Sequence, residues 1–169
     1  RNLLALRQSR RDLADRAAWL ADEVAKATAT IAAREKEAIL RLSRAAEYRD
    51  PETGMHLLRM SNYTRIVSAG LGLPAAEQRL LLEAAPMHDV GKVGTPDHIL
   101  LKPGRLTPEE FEIMKQHAAI GYEILRDSAS PLFQCAAVVA RAHHEKFDGS
   151  GYPQGLRHEG IPLAGRITA

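Results

Sequence analysis

The sequence predicts an all-α protein in which a helical bundle follows a long N-terminal helix. Residues 2–48 contain neither Gly nor Pro, later apolar residues recur at helical spacing between turn-forming segments, and convincing period-2 strands are absent. The chain has 169 residues, of which 45% are hydrophobic, enough for one core with an appendage. Because only 5% of the residues are aromatic, we expect Leu, Ile, Val and Ala to fill that core.

The first predicted element is a coiled-coil helix over residues 1–48. Its apolar seam has alternating spacings of four and three residues and consists of Leu13, Ala17, Leu20, Val24, Ala27 and Ile31. A seam this narrow is typical of a parallel two-stranded coiled coil, which predicts a homodimer. The alternative is one long helix that lies on its own domain.

Pro and Gly divide the second predicted domain, residues 49–169, into shorter elements. RDPETG breaks the long helix, and a second helix is expected from about Met55 to Ala69. Pro74 suits the first turn of a third helix, which we expect to carry EQRLLLEAAPMHDVGK. The segment TPDHILLKPGRL, rich in Pro and Gly, is expected to form a loop.

Two further helices are predicted in the second half of the chain. TPEE, from Thr107, has the pattern of an N-cap, a proline at N1 and an acidic first turn, and its helix should run to about Arg126. Another helix is expected from Leu132 to Glu145. From Lys146 onward the sequence predicts irregular structure.

Charge and composition argue against several classes of function. The formal net charge of +2 gives no electrostatic case for nucleic acid or an acidic membrane surface. No apolar run approaches the roughly 18 residues that span a bilayer. The single cysteine, Cys135, in an apolar stretch, argues against a disulfide framework, and no secretory signal is visible. We therefore expect a cytoplasmic protein, of which this chain, beginning with Arg and ending at GRITA, is a fragment.

The histidines are the most informative residues. There are seven: His56, His88, His98, His117, His143, His144 and His158. His88-Asp89 and the later HH pair are adjacent residues, and neighbours on a helix point roughly 100° apart. Such pairs are awkward ligands for one ion but suit two ions a few ångströms apart, with Asp89 as a bridge. Glu52 and His56 are four residues apart and can bind one metal from a single helical face.

Each candidate has an ordinary structural explanation when it is taken alone. Glu52 fits a solvated position in a first helical turn, and His56 or His117 fits a surface or core histidine. The joint pattern of an HD pair, an HH pair and two more histidines in one all-α domain favours a single metal centre. His98 and His158 lie beside Pro and Gly and keep the ordinary explanation.

The residues next to these pairs suggest a substrate site. Pro86 is expected to kink its helix before the HD pair, and Gly91 allows a backbone or a substrate to approach closely. Lys92 is a cation suited to a phosphate oxygen. DGSGYP consists of turn formers that fit any solvent loop, yet it directly follows HHEKF, where it can wall a site and stack on a base.

HDVGK followed by HHEKFDGSGYP resembles the HD-GYP domains, a branch of the HD metallo-phosphohydrolase superfamily. The resemblance covers roughly residues 45–169 and includes AEYRDPETGMHLLRMSNY, APMHDVGKVGTPDHILLKPGRLT, EIMKQHAAIGYEIL and the GYP loop with IPLAGRI. It implies an HD-type helical bundle that hydrolyses cyclic di-GMP to pGpG or GMP. It also implies two or three divalent metal ions, iron or manganese.

The resemblance assigns roles to residues of this chain. The implied metal ligands are Glu52, His56, His88, Asp89, His117, His143 and His144. The implied catalytic residues are Asp89 and Lys92, and the implied substrate-binding residues are Lys92, Gly151, Tyr152 and Pro153. In the family, a Glu at position 52 accompanies a third metal, and a further metal-binding Asp is expected just after Ala169.

Partners and competing functions follow from the same resemblance. The N-terminal helix resembles those that join such domains to an upstream receiver domain of a response regulator. The main alternative to an active enzyme is a catalytically weak regulatory module that binds a partner protein through the GYP loop. A phosphohydrolase acting on monomeric nucleotides and a pure coiled-coil adaptor are further alternatives, but the adaptor leaves the histidine pattern unexplained.

Overall fold

Helices make up the regular structure in a computed structural model of the chain, which describes residues 2–48 and 55–169. Within these two ranges no β-strand forms, and the all-α prediction is confirmed. The α-helices are α1 Asn2–Glu47, α2 Met55–Gly70, α3 Ala75–Ala84, α4 Asp97–Leu100, α5 Pro108–Leu125, α6 Pro131–Ala142 and α7 Leu163–Thr168. No helix in the described ranges is long and apolar enough to span a bilayer.

The predicted N-terminal helix is confirmed as a single helix of 46 residues, α1. The chain divides into two units between Ala38 and Ile39. In the first unit every side chain from Leu3 to Ala38 is exposed, including the whole apolar seam. The coiled coil, the homodimer and a domain boundary at residue 48 stay predictions.

The second unit begins with the last turns of α1. Ile39, Ser43 and Glu47 are buried there, and their spacing of four residues places them on one face of the helix. The main core cluster consists of Ile39, Ala84, Met87, Leu125, Ala136, Ala137 and Ala140. Small residues let the helices approach closely: a Cβ at Gly121 of α5 would lie 3.1 Å from the Cβ of Ala140 in α6. As expected, aliphatic side chains dominate this core.

The third helix ends earlier than predicted. We expected it to continue to Lys92, but α3 stops at Ala84, and 3₁₀-helices follow at Ala85–Met87 and Val90–Gly94. Pro86 has no N–H to donate, and its ring clashes with the preceding turn, so the α-helix cannot continue. The HD pair therefore lies in a turn between two 3₁₀-helices.

Three other segments also differ from the prediction. The segment expected to be a loop contains α4, and the C-terminal segment expected to be irregular contains a 3₁₀-helix at His158–Gly160 and α7. These elements are too short for hydrophobic periodicity to reveal them. α6 ends at Ala142 rather than Glu145, and His143 is its C-cap.

The predicted start of α5 is confirmed in detail. Thr107 is the N-cap, its hydroxyl accepts a hydrogen bond from Glu110 N at 3.2 Å, and the Glu110 carboxylate accepts one from Thr107 N at 2.7 Å. This capping box satisfies two of the N–H groups that a helix start leaves without an intrahelical partner. Pro108 occupies the first turn, as expected.

Candidate metal centre

The carboxylate of Asp89 is the centre of the site, and its side chain is only 8% exposed. Its Oδ2 lies 3.0 Å from His88 Nε2 and 2.9 Å from Lys92 Nζ. Its Oδ1 lies 3.2 Å from His117 Nε2 and 3.5 Å from His143 Nε2. Residues from the HD turn, α5 and the end of α6 thus meet at one carboxylate.

The imidazoles of His88, His117 and His143 share one orientation. The Nδ1 of each ring lies near the backbone carbonyl three residues earlier, at 3.0, 2.7 and 3.0 Å respectively. A carbonyl only accepts hydrogen bonds, so each Nδ1 carries the proton and each Nε2 keeps its lone pair. This is the arrangement in which a histidine offers Nε2 to a metal ion while a backbone group orients the ring.

These lone pairs point at one another, which makes the arrangement a good fit for a cation. His117 Nε2 and His143 Nε2 are 3.3 Å apart, and no described residue donates a hydrogen bond to the buried Oδ1 of Asp89 beside them. Buried acceptors that face each other without a donor are costly, and a bound cation would satisfy them all. Ligand atoms of Asp89, His117, His143 and His144 all lie within 4.8 Å of one another. Imidazole and carboxylate together suit divalent transition metals.

A second group of possible ligands adjoins the first. Ligand atoms of Glu47, His56 and His88 also lie within 4.8 Å of one another. Because His88 belongs to this group and Asp89 to the other, the HD pair connects the two. This is the arrangement predicted for adjacent ligands that serve two neighbouring ions.

Glu47 is the ligand candidate that sequence reasoning missed. It lies nine residues before His56, beyond the spacing that places two residues on one helical face. The only signal in the sequence is its position: Glu47 follows Ser43 by four residues, as Ser43 follows Ile39, so the three share one helical face. Glu52, the predicted partner of His56, lies outside the described residues, so its role stays a prediction.

Electrostatics favour the metal-binding protonation states of Asp89 and His144. Burial alone would raise the pKa of Asp89, but the neighbouring imidazoles of His117, His143 and His88 outweigh it and hold this pKa far below its usual range. Burial and the neighbouring His143 and His117 lower the pKa of His144 to about 3. At neutral pH the carboxylate is therefore ionised and His144 is neutral, as metal ligation requires.

His88 differs from the HH pair in the direction of its pKa shift, which is upward rather than downward. Burial is the largest single effect on His88 and lowers its pKa. The neighbouring Asp89 carboxylate, the carbonyl of Ala85 and the charge of Glu47 together outweigh burial and raise it. The His88 ring lies near both the Asp89 and the Glu47 carboxylates.

The GYP loop lies against the histidines, as its sequence position suggested. Tyr152 stacks on His144 with ring centroids 4.6 Å apart and an interplanar angle of 26°. The backbone N of Tyr152 donates to the carbonyl of His144 at 3.2 Å, and the Tyr152–Pro153 peptide is cis. A Cβ at Gly151 would collide with the backbone at Glu145, so only glycine fits there. These contacts place the loop beside the centre.

Glu145 also fixes this loop. Its buried carboxylate accepts hydrogen bonds from Gln154 N at 2.7 Å and from Leu156 N at 2.9 Å.

Two outlying histidines take no part in either group of ligands. His98 lies on α4, and the ring of His158 packs against that of Phe147 with centroids 4.9 Å apart. Both keep the ordinary explanation that the sequence suggested.

Comparison with known proteins agrees with this geometry. Residues 26–169 match the HD domain family. Over 168 residues, 99% of this chain and 44% of the relative, the chain is 46% identical to the cyclic di-GMP phosphodiesterase response regulator RpfG of Xanthomonas campestris. Over 128 residues, 76% of this chain and 35% of the relative, it is 50% identical to a cyclic di-GMP phosphodiesterase of Thermotoga maritima.

A third relative bears a different substrate name. It is the 3'3'-cGAMP-specific phosphodiesterase 2 of Vibrio cholerae, 46% identical over 134 residues, which cover 79% of this chain and 26% of the relative. The chain thus spans less than half the length of each of these three relatives.

Proposed function

Because the chain belongs to the HD-domain family, in its HD-GYP branch, we propose that it hydrolyses cyclic di-GMP to pGpG and/or GMP at a cluster of divalent metal ions. One observation carries the proposal: Nε2 atoms of His88, His117 and His143 converge on the Asp89 carboxylate with their lone pairs directed inward. Relatives named cyclic di-GMP phosphodiesterases support the choice of substrate.

The residues present fit two or three ions, which we propose to be iron or manganese. Asp89, His117, His143 and His144 would hold one ion, and His56 and His88 would contribute to a second. We propose that Glu52 adds a ligand, as the family resemblance implies. Bound divalent ions supply Lewis acidity, which lowers the pKa of water and offsets charge on a phosphate.

The chain's own side chains would do the remaining work. Ionised Asp89 is a hydrogen-bond acceptor beside the reacting phosphate and can orient an attacking water. Lys92 Nζ, 2.9 Å from Asp89 Oδ2, is placed to bind a non-bridging phosphate oxygen and to offset the charge that grows there. Gly151, Tyr152 and Pro153 would form one wall of the substrate site, beside His144.

The direct test uses the full-length protein that contains this chain. The protein is stripped with a chelator, reloaded with Mn²⁺ or Fe²⁺ and incubated with cyclic di-GMP, and the products are separated by chromatography. We expect pGpG or GMP only after reloading. Equal turnover by the stripped protein, with no metal detected by elemental analysis, would contradict the proposal.

A second candidate substrate is 3'3'-cGAMP, because relatives specific for it are also similar to this chain. The same assay with cyclic di-GMP and 3'3'-cGAMP as competing substrates decides between them through the ratio of their kcat/KM values. The catalytically weak regulatory module is favoured instead if metal binds but neither cyclic dinucleotide is cleaved.

We also propose the wider arrangement of the protein. The seam of α1 would form a homodimer, an upstream receiver domain would supply the input, and the GYP loop would contact partner proteins. RpfG, a response regulator by name, supports the receiver domain. A cytoplasmic location is part of this proposal.

A further inference from the structure

Glu47, the last residue of α1, is a charged residue in an unusual place. Its side chain is 5% exposed, and both of its carboxylate oxygens are buried. It continues the stripe of Ile39 and Ser43 that packs into the second unit. A buried carboxylate is retained only where partners compensate its charge, and metal ions are among those partners.

The surroundings of Glu47 have the composition of a metal site. Ligand atoms of Glu47, His56 and His88 lie within 4.8 Å of one another. The His56 and His88 rings are 5.8 Å apart, close enough for both to reach one ion. His88 Nδ1 faces the carbonyl of Ala85, so the Nε2 lone pair remains for a cation.

We propose that Glu47 is a metal ligand, which together with His56 and His88 binds a divalent transition-metal ion next to the ion of the Asp89 group. The inference rests on the proposed metal centre and deepens it, because the resemblance implies Glu52 and not Glu47 as the carboxylate partner of His56. It also places a metal ligand in the last turn of the helix that carries the apolar seam. Binding of an ion at this site would therefore depend on where the last turn of α1 lies.

The test compares Glu47→Gln with wild type in the full-length protein. Glutamine keeps the size of the side chain but removes its charge, and Glu35→Gln, at an exposed position of the same helix, is the matched control. Each protein is stripped of metal with a chelator and titrated with Mn²⁺, and the bound metal is then measured by elemental analysis. We expect Glu47→Gln to bind one ion fewer per chain, while Glu35→Gln binds as many as wild type.

Glu52→Gln tests the second carboxylate separately from Glu47. If Glu52→Gln loses an ion while Glu47→Gln keeps the wild-type number and affinity, the proposal is overturned. If Glu47→Gln does not fold, as judged by circular dichroism, Glu47→Asp replaces it. We expect this shorter carboxylate to weaken Mn²⁺ binding at one site about tenfold or more, as changes around a metal site commonly do. Unchanged affinity would overturn the proposal.

Electron paramagnetic resonance adds a readout that does not depend on turnover. Neighbouring Mn²⁺ ions couple magnetically, so the coupled signal should be lost in Glu47→Gln and kept in Glu35→Gln. These measurements involve no cyclic di-GMP. A wild type that binds the expected ions but cleaves no cyclic dinucleotide therefore contradicts the proposed function and leaves the role of Glu47 standing.

Discussion

At the scale of single residues, the site depends on how each histidine ring is held. In His88, His117 and His143, Nδ1 donates a hydrogen bond to a backbone carbonyl, so each ring presents Nε2 to the Asp89 carboxylate. No side chain is needed to set these tautomers, because each carbonyl belongs to the histidine's own local turn. The ligands are therefore oriented before any ion binds, which reduces the cost of ordering them.

Lys92 is expected to act on the substrate and not on the metal. A protonated amine has no lone pair for an ion, so Lys92→Gln should keep the wild-type metal content. Loss of one charge directed at a phosphate oxygen should lower kcat by roughly 10²-fold. Steady-state kinetics and elemental analysis of the same preparation check both statements.

Lys26→Gln is the matched control for Lys92→Gln. Lys26 lies on α1, pairs with Asp22 at 2.6 Å and has a side chain that is 65% exposed. Its replacement should leave kcat within about twofold of wild type, since exposed ion pairs contribute little. A Lys92→Gln enzyme as fast as Lys26→Gln would remove Lys92 from the mechanism.

The sequence identified most of the residues that the structure brings together. Asp89, His117 and the HH pair form one group, and His88 belongs to the adjoining one, as the joint histidine pattern suggested. Glu47 was not identified because periodicity relates only residues of one helix, whereas Glu47 lies on α1 and His56 on α2. Contacts between two helices depend on tertiary packing, which spacing does not encode.

At the scale of elements, the 3₁₀-helix Val90–Gly94 follows the HD turn and packs against α5. A Cβ at Gly91 would collide with the backbone carbonyl of His117 and lie 2.5 Å from Gly121 N. Gly91→Ala should therefore push this element away from α5 and lower the free energy of unfolding by about 1–3 kcal/mol. Urea denaturation followed by circular dichroism measures the change.

Gly70→Ala tests whether the effect of Gly91→Ala is steric. A Cβ at Gly70, at the end of α2, meets no atom of the described residues within 4 Å. Alanine there should leave stability unchanged or raise it slightly, by about 0.5 kcal/mol, through its better helix propensity. Equal losses at Gly70 and Gly91 would show that the close approach to α5 does not matter.

The capping box of α5 makes a separate prediction about stability. Thr107→Ala removes the hydroxyl that accepts from Glu110 N and should lower the free energy of unfolding by about 1 kcal/mol. Ser130, the N-cap of α6, makes no capping hydrogen bond through its side chain. Ser130→Ala should therefore change the free energy of unfolding by less than about 0.5 kcal/mol. Thermal unfolding of the two variants should rank them in this order, and the reverse order would contradict the capping argument.

Helix starts were more predictable than helix ends. Pro108 and the neighbouring cap marked the start of α5, and RDPETG marked the start of α2. The end of α3 at Ala84 came earlier than expected because Pro86 terminates the α-helix instead of kinking it. The end of α6 at Ala142 carries no signal in the sequence, since the HH pair continues an apolar helical stretch.

At the scale of the whole molecule, the exposed seam of α1 raises the question of oligomeric state. Leu13, Leu20, Val24 and Ile31 are each at least 55% exposed. A single helix with such a seam gains stability by pairing with a second copy. We expect Leu20→Asp with Val24→Asp to convert a dimer into a monomer, as measured by light scattering after gel filtration.

The control substitution keeps the added charge but lies off the seam. Ala18 is exposed and lies outside the heptad positions of the seam, so Ala18→Asp should leave the molar mass of the dimer unchanged. A wild-type protein that is monomeric at micromolar concentration would contradict the coiled-coil prediction, but it would leave the metal centre unaffected.

Elemental analysis of wild type and Asp89→Ala, paired with cyclic di-GMP turnover, tests the metal centre most directly. Asp89 touches three imidazoles, so its removal should abolish activity and release most of the metal while the helices stay folded by circular dichroism. An Asp89→Ala protein that retains near wild-type activity with no metal detected would contradict the idea that these residues form a catalytic metal centre.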